Sequence, residues 1–543
     1  MSGHLGKQHS SVTLERRCQS VLRAHVRTST LRAQDLPPPC IWPLLNRLLR
    51  TVIVIVALTL SALVASAGEA PDVQSLTLRE CIERALAGNL DIRIERVNPA
   101  IQSWSVVLAQ GVFDPSLVGE LSYQDASEPL APERAAALGL ATLEQQQLQT
   151  RAALTGTLPI GTRYELSAFD TTRSSGTLAP SFVYTGTTSL TLTQPLLKNL
   201  GRSPNTAAIR LARKDRQIAL EQVARQVIDT VSDVSRAYFE LVFAIEDHKA
   251  KLEDLNRAKA LLADNRTRVQ IGVMSPLDVT QGEAGAAERE EAVIVAERAI
   301  TDRENALKRL IAADVMTLRG VSLRPAEPLS DQPVETDAAR SIRTALESRP
   351  DVVQSRHNLE RRGILLAFNR NQLWPEIDLQ TSYGLNAQGS SVGNFADHVA
   401  DRDNPVWSIG VIATIPLGNR RAKAAYEIAR LEEEQAVLTI KRLEQDVVIQ
   451  VDNAVGQVQT NSQRVAATRV ASRLAEESLK AEEAKLRAGA STSFLVLQAQ
   501  SQLVAARSAE IRARADYSES LVELARAEGT TLQQHRIVLD GES

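Results

Sequence analysis

Aromatic residues make up only 3% of this 543-residue chain, and three cysteines and three methionines are spread thinly along it. So small an aromatic share argues against several compact cores, and long tracts of Ala, Leu, Arg, Glu and Gln argue for extended helices instead. Cys18 and Cys40 precede the one strongly apolar run, which leaves Cys81 alone after it. A lone cysteine makes no intramolecular disulfide, and Cys81 is expected to pack as a small apolar residue on a helix. The formal charge of −3 lacks the basic excess that a nucleic-acid partner requires. His248, His357, His398 and His535 stand far apart, without the spacing of metal ligands. No glycine loop able to cradle a phosphate and no Ser/His/Asp or Cys/His arrangement can be argued. No enzyme, metal centre or cofactor is therefore expected.

A second long apolar run is missing as well. The single one, TVIVIVALTLSALVASA at 51–67, follows Arg47 and Arg50 and ends on Ala65-Ser66-Ala67, the small residues of a cleavage site. This is the pattern of a secretory signal, with residues 1–67 as the signal region and cleavage before Gly68. A transmembrane anchor would call for a somewhat longer run and has no use for the small-residue end. The basic stretch ahead is long for a signal and suggests translation starting nearer Arg47, although no methionine lies between Met1 and Met274.

What the chain has in quantity is helix. From about Asn205 to Ile311 it reads as two very long helices folded back at Gly272. Val227, Val231, Val234, Tyr238, Leu241, Ile245, Leu252, Leu255 and Leu262 recur in steps of four and three, with His248 and Lys259 in the polar slots. A 3.5-residue period makes a narrow seam of the kind a coiled-coil partner buries. An arm from Asn205 to Gln270 would be roughly 100 Å long at the α-helical rise per residue. The turn Ile271-Gly272-Val273-Met274-Ser275-Pro276-Leu277-Asp278 restarts the helix, with Ser275 as N-cap, Pro276 at the first position and Asp278 closing a capping box. A second hairpin occupies about Arg421 to Gly529 and turns at Gly489.

A helix and a set of strands precede each hairpin. LTLRECIERALAGNLDIRIERVNPAIQSWSVVLAQG, from Leu76, reads as one amphipathic helix that ends at Phe113-Asp114-Pro115. Leu117, Gly119, Leu121 and Tyr123 then alternate with Val118, Glu120, Ser122 and Gln124, which gives one apolar and one polar face. Residues 125–150 read as a polar loop. Ala152–Leu158, Thr162–Phe169 and Ser181–Leu192 follow as strands, so that the first repeat, 68–312, has its strands at about 116–192 and its hairpin at about 205–311. After a proline-rich linker at 313–337 the order recurs. A shift of 260 lays Ala85 on Ala345, Asp91 on Asp351, Pro115 on Pro375 and Tyr123 on Tyr383 without a gap. In the hairpins a shift of 217 lays Gly272 on Gly489 and Gln281 on Gln498. The second repeat, 338–530, has strands at about 376–415 and a hairpin at about 421–529; a tail, 531–543, follows.

The strands are short, alternate in polarity and carry Tyr123, Tyr164, Phe169, Phe182, Tyr184, Trp374, Tyr383 and Trp407 near their ends or in adjoining loops, as strands crossing a bilayer do. A soluble β-sandwich is the alternative, but it sits poorly with so few strands beside such long helices. Leu117, Leu121, Tyr123, Ile377, Tyr383, Ile409 and Val411 are expected to face lipid, while Glu120, Ser122, Asp378, Gln380 and Ser408 face water. A handful of strands cannot close a wide barrel, and an open edge in lipid is costly, so several copies must share one barrel.

The stretches LTLRECIERALAGNLDIRI, GVFDPSLVGELSY, LTQPLL, RVQIGVMSPLDVTQGE, TALESRPDVV, LWPEIDLQTSY, ATIPLGNRRAKAAYEIARLEEE and RADYSESLVELARAEGT resemble the outer-membrane efflux protein (TolC) family over almost all of Leu76 to Thr530. The resemblance implies a fold that is mainly α with a membrane β-barrel portion, in which the duplicated helix–strand–long helical hairpin repeat builds a trimeric β-barrel and an α-helical periplasmic tunnel. It also implies a passive exit channel in the outer membrane of a tripartite efflux or type I secretion system. A periplasmic adaptor and an inner-membrane transporter would be its partners, and small molecules or polypeptides its cargo. Relatives typically give four strands each to a twelve-stranded barrel, so the extra hairpin at Ala152–Phe169 either widens the barrel or decorates one end. A periplasmic adaptor is the alternative, yet adaptors generally carry one hairpin; a structural coiled-coil protein leaves the strand duplication unexplained.

Two sites follow. The hairpin tips, Ile271, Gly272, Val273, Ser275 and Pro276 with Ala488, Gly489, Ala490 and Ser491, are expected to dock the adaptor. Best-studied relatives narrow the periplasmic entrance with aspartates after the second tip. Here that run, Leu486, Ser491, Leu495 and Gln498, holds no acid, and Asp278 is better placed as a helix cap. Closure by an apolar constriction around Phe494 and Leu495, with weak cation preference, is the expectation.

Overall fold

The computed structural model describes residues 73–177, 179–402 and 404–539. The expected signal region and cleavage site fall outside them.

The first repeat opens with a short strand, β1 (Val73–Leu76), and two helices, α1 (Leu78–Gly88) and α2 (Leu90–Gln110). The single helix expected from Leu76 is thus two. The reason is local: the Asn89 side chain accepts from the backbone N–H groups of Asp91 and Ile92, at 2.9 and 3.2 Å, and so caps a new helix where α1 stops. Cys81 lies on α1 and is fully buried.

Four strands follow: β2 (Ser116–Pro129), β3 (Thr142–Thr157), β4 (Arg163–Gly176) and β5 (Ala179–Pro195). The polar loop expected at 125–150 is mostly strand, interrupted by a short helix at Pro132–Leu138. Its glutamines show no apolar alternation, yet Gln147 pairs opposite Gln124 and Gln146 opposite Asp125. The order comes from a non-local ladder that a period-two pattern cannot reveal.

The first hairpin consists of α3 (Ala207–Gln270, 64 residues) and α4 (Pro276–Ile311, 36 residues). Beyond it, the stretch expected to be a plain linker contains β6 (Ser322–Pro325), paired in parallel with β1. Two buried tyrosines pin this stretch to the helices. Tyr238 donates to the Leu76 carbonyl (3.3 Å) and accepts from the Glu327 N–H (3.0 Å). Tyr517 donates to the Gln332 carbonyl (2.8 Å) and accepts from the Val334 N–H (3.0 Å).

The second repeat runs through α5 (Ala338–Ser348), α6 (Pro350–Asn371), β7 (Glu376–Gly389), β8 (Pro405–Thr414), α7 (Arg420–Arg487) and α8 (Ser493–Glu528). The 260 offset carries both ends of α1 onto those of α5, and the 217 offset does the same for α4 and α8. In each repeat the second helix (α2 or α6) and the returning arm (α4 or α8) both pack along the longer arm, the start of one near the end of the other. At one junction the Asn89 side chain donates to the Leu310 carbonyl at 3.0 Å, and a Cβ on Gly88 would come within 3.1 Å of Ile311 and Ala313 backbone atoms. At the other, Arg349 donates to the Ala527 carbonyl at 3.2 Å, beside Gly529. An apolar cluster sits at each junction: Cys81, Ile92, Val227, Val231, Tyr238 and Leu307 in the first, Ala345, Val352, Val451, Val458, Tyr517 and Leu524 in the second.

The α3 seam is buried from Val227 to Leu241, but Leu252 is exposed. In the lower half Leu255 stays buried, and Asp247, Asp254, Ala258 and Asn265 are buried with it; Asp254 meets Arg289 of α4, while Asp247 and Asn265 meet Ser508 and Ser493 of α8.

Candidate functional site

Strands β2-β3-β4-β5-β7-β8 form, in that order, one antiparallel sheet. Its register lines up an apolar row across every strand: Leu117, Leu154, Leu166, Leu190, Tyr383 and Trp407 are successive partners, and all six are exposed. The adjacent row, Ser116, Thr155, Glu165, Thr191, Ser382 and Ser408, is polar throughout. Neighbouring residues of a strand point to opposite sides, so the sheet has one apolar and one polar face. Leu121, Tyr123, Ile377, Ile409 and Val411 share the face of Leu117, whereas Glu120, Ser122, Asp378 and Gln380 share that of Ser116. On the polar face Arg163 reaches across β5 to Asp378 at 2.8 Å, and Arg151 pairs with Glu165. Among the described residues no helix is long and apolar enough to cross a membrane.

The hairpin tips are built alike. Gly272 and Gly489 have φ of +78° and +76°, a left-handed conformation in which a side chain is strained. At the first tip the Gly272 N–H donates to the Val269 carbonyl and the Val273 N–H to the Arg268 carbonyl; at the second, Gly489 and Ala490 donate to Leu486 and Lys485. These paired bonds are the glycine-terminated helix ending. Ser275 and Asp278 then form a capping box, in which the Ser275 N–H donates to the Asp278 carboxylate at 3.2 Å. Asp278 is therefore engaged as a cap. Thr492, whose hydroxyl accepts from the Leu495 N–H, caps the second return helix. Ile271, Val273, Leu277 and Phe494 are exposed apolar side chains at these ends, with Leu495 at 42% and Gln498 on the same exposed side of α8. Ser491 donates to Glu482, which also holds Lys485 at 3.0 Å.

A polar link behind the tips was not foreseen from the sequence. Arg289 on α4 donates to Asp254 on α3 at 2.7 Å, and the two side chains are only 9% and 4% exposed. The same guanidinium donates to the Leu497 carbonyl (3.1 Å) and to the Ser501 hydroxyl (3.0 Å) on α8. Asn265 adds a hydrogen bond to Ser493. The first hairpin is thus tied to the second just behind both turns. The available signal was the seven-residue spacing of Asp247 and Asp254 beside the seam, a heptad interval at which acids inside a coiled coil require partners.

Burial pushes the Cys81 thiol up to about 12, which makes it unreactive packing. Among the described residues no group of three or more His, Cys, Asp and Glu could hold a metal ion.

Solved structures with a similar fold include the CmeC outer membrane channel of Campylobacter jejuni (15% identity, TM-score 0.62, covering 84% of this chain and 86% of that one). The outer membrane protein VceC of Vibrio cholerae is 17% identical, with a TM-score of 0.60 over 83% of this chain and 96% of that one. The MtrE outer membrane channel of Neisseria gonorrhoeae, in its open state, is 18% identical, with a TM-score of 0.58 over 84% and 89%. No curated protein matches the sequence. The family model for outer membrane efflux proteins matches residues 134–313 and 341–530, well over half of the chain, on the same two strand-and-hairpin repeats. The chain belongs to the outer membrane efflux protein family.

Proposed function

We propose that three copies of this chain form one passive exit channel, with the sheets in the outer membrane and the hairpins reaching into the periplasm towards an adaptor and an inner-membrane transporter. The observation that carries this reading is the two-faced sheet joined to two helical hairpins. An apolar face suits lipid and a polar face suits a water-filled lumen. An arm of 64 residues is roughly 95 Å long, enough to carry the tips far from the sheet. Ile271 and Val273 at the first tip, with Gly489 and Ala490 at the second, supply the adaptor contact. Phe494 and Leu495 narrow the entrance. Small molecules and polypeptides both suit a duct of this kind.

The test combines membrane fractionation with export in a strain that retains the adaptor and the transporter. Removing this protein is expected to raise cellular retention of a fluorescent pump substrate or to block a secreted polypeptide. Retention and secretion both unchanged would sink the reading. Gly272→Val is expected to abolish export at unchanged trimer yield; loss of the trimer would make Gly272 a folding position alone.

A further inference from the structure

The hairpin β3–β4 does not hang from the sheet. It lies between β2 and β5, and among the described residues β2 pairs only with β3. Removing it would detach β2 from the wall. It also keeps the two-faced pattern: Leu154 and Leu166 stand in the apolar row, while Thr155 and Glu165 stand in the polar one. A decoration lying in water has no need of that alternation. We propose that all six strands of each chain belong to the membrane wall, and that β2 of one copy pairs antiparallel with β8 of the next, so that three copies close an eighteen-stranded barrel. This rests on the trimeric channel proposed above and departs from the four strands per chain that the family resemblance implies.

The two edges fit one another. Among the described residues each has a partner on one side only, and β8 is exposed along its whole length. An unpaired edge is not tolerated in lipid. Strand direction alternates across the sheet, so with an even number of strands β8 runs opposite to the β2 of a following copy. The apolar faces continue into each other, with Leu117, Leu121 and Tyr123 at one edge and Trp407, Ile409 and Val411 at the other.

The width follows from the register. At the helix-proximal end, Ser116 lies opposite Thr155, two residues before β3 ends at Thr157. Arg163 lies opposite Thr193, two before the Pro195 end of β5, and Pro195 lies opposite Asp378, two inside the Glu376 start of β7. The other two ladders are level, with Thr157 opposite Arg163 and Glu376 opposite Thr414. The strand ends therefore step by about six residues over five neighbours, a tilt of roughly 40°, within the range of membrane barrels. Eighteen strands at that tilt, about 4.8 Å apart, enclose a barrel roughly 36 Å across, against roughly 24 Å for twelve. The cross-section is then roughly twice as large.

The experiment uses the full-length protein purified from outer membranes, with Cys81→Ala as background and one spin label at Gln380→Cys on the polar face. Native mass spectrometry first counts the copies. Three equivalent backbones are expected roughly 31 Å apart in an eighteen-stranded barrel and roughly 21 Å apart in a twelve-stranded one, inward-pointing labels shortening both alike. A trimer with the shorter distance overturns the proposal and spares the trimeric channel; any other copy number overturns both. A second pair of labels, at Leu166→Cys and Thr155→Cys, reads where the hairpin lies. Leu166→Cys is expected to be open to oxygen dissolved in lipid and Thr155→Cys to a water-borne relaxant. Water access at both positions would place the hairpin outside the wall.

Discussion

Asp254 and Arg289 meet where little water can follow, and the guanidinium also donates to the Gly285 and Leu497 carbonyls and to the Ser501 hydroxyl. Burial outweighs the guanidinium and holds the Asp254 carboxyl above its ordinary value, so the pair adds little stability of its own. Breaking it is another matter, since one charge is then stranded. Arg289→Ala is expected to cost about 3–5 kcal/mol locally, whereas Arg289→Met combined with Asp254→Leu recovers most of the loss. Hydrogen exchange of the tip amides in wild type and both variants measures this, and equal protection in all three would contradict it. A second residue responds to pH. Glu519 on α8 faces Glu240 on α3, with Arg512 and Asp516 beside it and Arg303 of α4 paired to Glu240. Burial, then the charge of Glu240, push its carboxyl up to about 7 from an ordinary 4.5, against the pull of Arg512. The raised value means that the folded chain prefers the protonated form. That stabilisation is complete below about 4.5 and is lost as pH rises through about 7. Glu519→Gln is expected to remove this dependence, leaving the variant more stable than wild type above pH 7 by about 1–3 kcal/mol. Thermal melts from pH 5 to 8 compare the two, and parallel curves would exclude Glu519 as the source.

At the scale of elements, each long hairpin depends on one glycine. A Cβ at Gly272 or Gly489 would meet nothing within 4 Å, so the whole penalty of substitution lies in the backbone. Replacement by Ala is expected to cost about 1–2 kcal/mol at each tip, and by Asn less, because Asn tolerates the left-handed region. Amide exchange confined to the tips reads this out, and an unfolding effect spread along the arms would disagree with it. These turns were legible in the sequence because caps and glycine endings are local chemistry: Ser275, Pro276 and Asp278 specify their geometry within four residues. The duplication was legible for a similar reason, since the equal lengths of α1 and α5 and of α4 and α8 preserve a fixed offset. The break at Asn89 carried a local signal too, a glycine followed by a capping residue, but continuous amphipathicity on both sides masked it. The strand nature of 125–150 had no such signal, because Gln145 to Gln149 owe their conformation to partners on β2 and β4. The Arg289 link was hidden as well. Its partners lie 35, 208 and 212 residues away in the sequence: the fold-back of the first hairpin brings in Asp254, and the packing of the second hairpin against it brings in Leu497 and Ser501.

At the scale of the whole molecule, the proposed trimer would turn every exposed tip residue into a ring, so what matters is which side chains are left to face the axis. The acid nearest the first tip, Asp278, has its carboxylate on the Ser275 N–H, and Glu482 near the second is held by Ser491 and Lys485. Phe494 and Leu495 have no such engagement and are 57% and 42% exposed in the single chain. An apolar ring resists ions by dewetting, whereas a carboxylate ring concentrates cations. Wild-type channels in planar bilayers are therefore expected to conduct poorly at rest and with weak cation preference. Leu495→Asp is expected to raise both conductance and cation selectivity. Arg289→Ala, which loosens the tie between the hairpins without adding charge at the entrance, is expected to raise conductance alone. Asp278→Asn is expected to leave selectivity unchanged while weakening the start of α4 by about 1 kcal/mol, the typical worth of such a cap. Strong cation selectivity in the wild type, unaltered by Leu495→Asp and lost in Asp278→Asn, would assign the constriction to the first tip instead of the second.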